Sequence, residues 1–260
     1  MSVSTARSAE LPGLARKPFA PFHRQDRNFH LAYVALIWLG ILAGFGPEVV
    51  THIRTHAAPF PPIVHVHAVV FVGWLALFTT QILMVRTRRL EFHRRLGWAM
   101  VGVAAGMAVL GPLTALIADA RHLGTPLSDP PFIAIQFTDI LAFVGLMIPA
   151  VLLRKDAATH KRLILLATIY ISDAGFARFV GSAFGSVLGH GFWGFWAVAY
   201  LGPALLMVGV GAYDLATRGR LHPAYLAGVA YAVALQMTAV TLYHNAAWSA
   251  VAAALVKRFA

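Results

Sequence analysis

Residues 63–85 form an unbroken run of 23 residues with no Asp, Glu, Lys or Arg. As a helix this run is about 35 Å long, against a bilayer hydrocarbon core of about 30 Å. A lipid bilayer is the natural home for such a segment, because a helix satisfies every backbone group there internally. Six other predominantly apolar segments, several with one or more ionisable residues, are also long enough to span, so the chain is expected to be an all-α, polytopic transmembrane helical bundle of about seven spans. The spans are read at residues 29–49, 63–86, 97–118, 132–153, 162–184, 193–215 and from Pro223 to Val256. The last segment has 34 residues, roughly 50 Å as one helix. It has to tilt, extend past the membrane, or turn along the interface near Asn245. Residues 1–28 contain Pro, Ser and Arg without an apolar core, and read as a cytoplasmic mobile tail. Residues 29–260 then form a single transmembrane helical domain.

Composition supports this class and excludes others. Apolar residues make up 59% of the chain and charged residues 12%, with a mean hydropathy of +0.70. The net charge of +11 would suit nucleic acid in a soluble protein, but here the charges sit in short turns between apolar spans. Sixteen Lys and Arg fall on the side of the N-terminus, and four (Arg54, Arg121, Lys257, Arg258) on the other. The positive-inside rule therefore places the N-terminus in the cytoplasm and the C-terminus outside. No Cys is present, which removes disulfides, thiolate metal sites and a Cys nucleophile.

The twelve histidines are the main candidates for chemistry. His52 and His56 are four apart, a spacing that on a helical turn presents both imidazoles to a divalent metal. His65 and His67 follow, and diverge on a helix. His67, Trp74 and Gln81 are seven apart and share one face of the second span. His244 is expected at the depth of His67, so the two are candidate axial ligands of a haem b or partners at a shared metal ion. Phe71, Trp74 and Phe78 would flank a planar cofactor, with His65 as a substitute ligand and Gln81 as a polar end. On the opposite side, the turn RTRRLEFHRRLGW is echoed by RKDAATHKRLILL, suggesting a repeat of helical hairpins in which His93 and His160 occupy equivalent positions. That pair is the cytoplasmic alternative for a single haem. No span carries two histidines at the spacing that two stacked haems need.

Polar residues inside spans are costly and require partners. Asp139 with Gln136, Asp173, Arg178, and the pair Gln236 and Tyr243 are expected to line an intramembrane polar cavity, with Arg178 facing Asp173 or Asp139. Other signatures are missing: HIRTH lacks the HxxHH boxes of membrane di-iron enzymes, and no HExxH, phosphate-binding glycine loop or nucleophile elbow occurs.

The run PPIVHVHAVVFVGWLALFTTQILMVRTRRLEFHRRLGW, followed by HKRLILLATIYISDAGFAR, resembles a group of uncharacterised bacterial polytopic inner-membrane proteins with a His-rich second span and an HRRLG turn. A looser likeness is to b-type cytochrome helical bundles. The first resemblance implies an inner-membrane protein with no assigned activity or cofactor. Three readings remain open. One is a haem or metal protein for electron transfer with quinone or a small substrate. Another is a small-ligand carrier or sensor built on the polar cavity. The third is a non-catalytic membrane subunit of a larger complex, without cofactor.

Overall fold

The computed structural model describes residues 19–260, which contain nine α-helices and no strand among the described residues. They are α1 (Asp26–Arg54), α2 (Pro62–Arg86), α3 (Leu90–Ala120), α4 (Ile133–Leu152), α5 (Ala157–Tyr170), α6 (Asp173–Leu188), α7 (Phe192–Arg218), α8 (Pro223–Tyr243) and α9 (Ala246–Val256). Six of these regions are individually long and apolar enough to cross a membrane, and α5 with α6 makes a seventh broken span bent by 44°. Only residues 19–28 of the segment read as the tail are described. The boundary at residue 28 falls inside α1, and Phe19 packs edge-on against His222 between the guanidinium groups of Arg162, Arg218 and Arg220. Residues 1–18 lie outside the described residues.

Local chemistry explains where the helices start and stop. Pro62 and Pro223 occupy first helical turns, where a missing N–H costs nothing. Asp156 caps α5, its carboxylate accepting from the N–H groups of Ala158 and Thr159 and from the Thr159 hydroxyl. That hydroxyl, ahead of the peptide N–H groups, holds the Asp156 carboxyl below the usual carboxylate range. Gly189 and Gly219 take positive φ where α6 and α7 end.

Two long apolar segments break where polar side chains intervene. At the fifth span the chain is not one helix over 162–184. Both the N–H and the hydroxyl of Ser172 turn to the Ile169 carbonyl, three residues back, and α6 restarts at Asp173. At the end of the chain, Asn245 accepts from the Trp248 N–H and so opens α9 as a separate helix. Of the three courses open to the last segment, the turn near Asn245 is the one adopted. The α9 helix folds back under the 121–131 loop, where Trp248 Nε1 donates to the Pro131 carbonyl and Ala252 and Val256 are buried against Leu116, Ala120 and Ile133.

Helix packing relies on small residues, as in lipid, where apolar burial alone gives little drive. Gly40 and Gly44 on α1 meet Gly175 on α6 so closely that a Cβ on Gly44 would overlap the Gly175 carbonyl. Elsewhere phenols bind carbonyls exposed beside glycine: Tyr225 donates to Met207 over Gly211, and Tyr231 to Leu141 over Gly145. Gly44→Leu is therefore expected to destabilise the bundle by about 1–3 kcal/mol through overpacking, read as a lower melting temperature in detergent. Gly46→Leu, at a position with open space around its Cα, is expected to leave the melting temperature unchanged.

Candidate functional site

Three polar regions interrupt the apolar interior. The first is an ion lattice at the end of the bundle that carries the basic turns. Arg162 on α5 grips Asp214 on α7 with two parallel bonds, Nε–H to Oδ2 at 2.7 Å and Nη2–H to Oδ1 at 2.5 Å, with both side chains at least 96% buried. Asp26 at the start of α1 accepts from Lys161 at 2.6 Å, from Arg218 at 2.9 Å and from the Tyr213 hydroxyl at 2.7 Å. These contacts tie α1, α5 and α7 together at one end. Neither Asp26 nor Asp214 was among the sequence-derived candidates. The signal available was Asp214 four residues before Arg218, an i,i+4 pair at the end of an apolar span.

The second region lies beside this lattice and contains His93 and His160. Each is the fourth residue of its helix, α3 and α5 respectively, as the matching turns predict. The two ring centres are 6.4 Å apart, with planes nearly perpendicular at 85°. His160 Nδ1 lies 2.8 Å from the Ala150 carbonyl. A carbonyl only accepts, so Nδ1 carries the hydrogen and the lone pair of a neutral ring sits on Nε2. His93 lies against the Gln81 carbonyl, and its Nδ1 is buried without a hydrogen-bond partner. The Gln81 side chain, 6% exposed, also lacks partners for both amide atoms and lies against Gly97, one turn beyond His93. Arg154 covers the Trp98 ring at the rim of the same region.

The third region is inside the bundle, where α5 breaks from α6. Asp139 on α4 and Asp173, the first residue of α6, are buried with their carboxyl groups within hydrogen-bonding reach of each other. Tyr170 and Tyr200 are fully buried beside them, with the Tyr200 hydroxyl within hydrogen-bonding reach of Asp139, Thr138 and the Tyr170 hydroxyl.

Several expected groupings do not form. His52 and His56 do not share a helical face: α1 ends at Arg54, and His56 has a left-handed backbone with φ of 48°. His52 instead stacks on Phe60 at 4.2 Å. His65 is exposed, with its ring at the Pro61 carbonyl. His67 stacks on Phe71 at 4.0 Å and turns toward the Leu110 carbonyl of α3, whereas His244 binds the Val240 carbonyl and touches Phe192 and Phe195 of α7. The two rings face different helices, and no hydrogen bond or ring contact joins them among the described residues. Arg178 does not pair with Asp173 or Asp139; it is 43% exposed and donates to Glu48 on α1 at 2.7 Å. Gln236 is buried and accepts from Trp196, and Tyr243 donates to Asp129, a carboxyl pushed up by burial. Gln136 is half-buried, three residues before Asp139. The face of α2 does point inward, with Trp74 fully buried, Phe78 and Gln81 nearly so, and Trp74 edge-on to Phe143. No group of three or more His, Asp or Glu placed to hold a metal ion occurs among the described residues.

Comparison with known proteins adds no identity: no family model, no curated protein and no solved structure matches the chain.

The ion lattice has a testable structural role. Removing one partner of a buried ion pair leaves an uncompensated charge, so Arg162→Ala is expected to cost about 3–5 kcal/mol. Arg162→Met combined with Asp214→Leu removes both charges and is expected to restore most of that loss. Folded fraction against temperature in detergent distinguishes the two outcomes.

Proposed function

We propose that this chain is an inner-membrane haem b protein for electron transfer, with His93 and His160 as the two iron ligands. The observation that carries the reading is the spacing of the two rings. With ring centres 6.4 Å apart, His93 and His160 are close enough that both would hold the iron of a single haem, which would supply one-electron chemistry. The carbonyl hydrogen bond of His160 fixes the tautomer that offers Nε2, as ligating histidines commonly require.

Charge separates haem from a bare divalent ion. The two turns and helix starts around the pair carry Arg88, Arg89, Arg94, Arg95, Arg154 and Lys155 against only Glu91 and Asp156. Glu91 is already paired with Arg95. A divalent cation held by two neutral imidazoles would meet uncompensated repulsion there. A haem brings a porphyrin dianion and two propionates, which suit this surrounding. Without Cys the chain has no covalent attachment, so the group would be held by axial ligation and packing alone. The placement of basic residues supports a cytoplasmic location for this end, and a quinone or a small redox substrate is the natural partner.

The test is an absorption spectrum of the protein purified in mild detergent and loaded with haemin, before and after dithionite. A Soret band with sharp reduced α and β bands is expected. His93→Ala and His160→Ala are each expected to lower haem affinity by about tenfold or more, while His67→Ala and His244→Ala keep the spectrum. A protein that stays colourless after loading, or one that loses its band only with His67→Ala, contradicts the proposal.

A further inference from the structure

We propose that Asp139 and Asp173 form an intramembrane proton-binding site, a single proton bridging the two carboxyl groups where the fifth span breaks. This site is separate from the histidine pair and does not depend on haem. Both residues are more than nine-tenths buried, at 8% and 4% exposure, and their carboxyls are within hydrogen-bonding reach. Ionised carboxylates only accept hydrogen bonds, so this contact requires a proton on one of them. No Lys or Arg makes a hydrogen bond or ion pair with either carboxyl among the described residues. Arg178, on the same helix as Asp173, is committed to Glu48, and Arg162 to Asp214.

The backbone assigns the members of the pair. Asp173 sits at the first turn of α6, within reach of the Ala174 N–H. Free peptide N–H groups and the helix dipole at that end favour negative charge. Asp139 lies inside α4, away from any helix terminus, and its Oδ1 is buried with no partner. Asp139 is therefore the member that holds the proton, and Asp173 the one that accepts the hydrogen bond. The groups facing the pair are Tyr170 from α5, Tyr200 from α7, Arg178 from α6 with its α1 partner Glu48, and, near Tyr170, Tyr231 from α8, whose hydroxyl donates to the Leu141 carbonyl. Tyr200, within hydrogen-bonding reach of Asp139 and of Tyr170, whose ring centre lies 6.0 Å away, extends the polar cluster beyond the two carboxyls. A carrier or sensor built on this chain would use this site for coupling to protons.

The experiment is infrared difference spectroscopy of the protein in lipid nanodiscs at neutral pH. The expected result is a carbonyl stretch of a water-shielded carboxylic acid, lost in Asp139→Asn and shifted in Asp173→Asn. If either Asn variant fails to fold, Asp139→Glu decides, because it keeps the acid and is expected to move the band without abolishing it. No such band in the unaltered protein, or a band unchanged in every variant, overturns the site.

Discussion

The grip of Arg162 on Asp214, extended by Asp26 to Lys161 and Arg218, is the interaction on which the basic end of this bundle depends. In an apolar medium an unpaired charge costs far more than a pair gains, so these groups fix their helices instead of merely decorating them. The lattice locks the first turn of α5 against α1 and α7. His160 is the residue immediately before Lys161 and shares that turn. The lattice thus helps place the stretch of α5 that carries His160, while the Ala150 carbonyl orients its ring. Asp156 contributes from the other side by capping the same helix start.

The architecture was legible in the sequence because period and length suffice for a membrane helix. The inward face of α2 follows directly from the seven-residue spacing of His67, Trp74 and Gln81, and the equivalence of His93 and His160 from matching turns. The breaks at Ser172 and Asn245 were harder to read. A Ser hydroxyl turning to a carbonyl three residues back, or an Asn cap inside an apolar run, changes the path without changing hydropathy. Only the second was marked as a place where the chain turns. Pairing across helices was the least legible. Arg178 sits within an apolar segment, yet α6 starts afresh at Asp173 and its rotation points Arg178 outward to Glu48. His52 and His56 have metal-ligand spacing, but the helix ends between them. Asp26 and Asp214 near span ends looked like ordinary boundary residues and turned out to hold three helices.

The two proposed sites divide the polar interior in a consistent way. The histidine pair lies at the basic end, where anionic groups are welcome and a bare metal ion is not. The carboxyl pair lies inside the span beside two tyrosines, with no basic side chain bonded to it, where a proton is the cheapest compensating charge. Redox change at one site and protonation at the other are compatible within one bundle, since α5 carries both His160 and Tyr170. Neither site uses His67 or His244, which contact different helices.

Electron paramagnetic resonance of the oxidised, haem-loaded protein in frozen solution tests the central claim most directly, because it reports both axial ligands and the angle between them. Two imidazoles with nearly perpendicular planes, as His93 and His160 have, predict a low-spin ferric signal of high anisotropy that is lost in His93→Ala and in His160→Ala. A high-spin signal, or a low-spin signal that survives both substitutions, would contradict it.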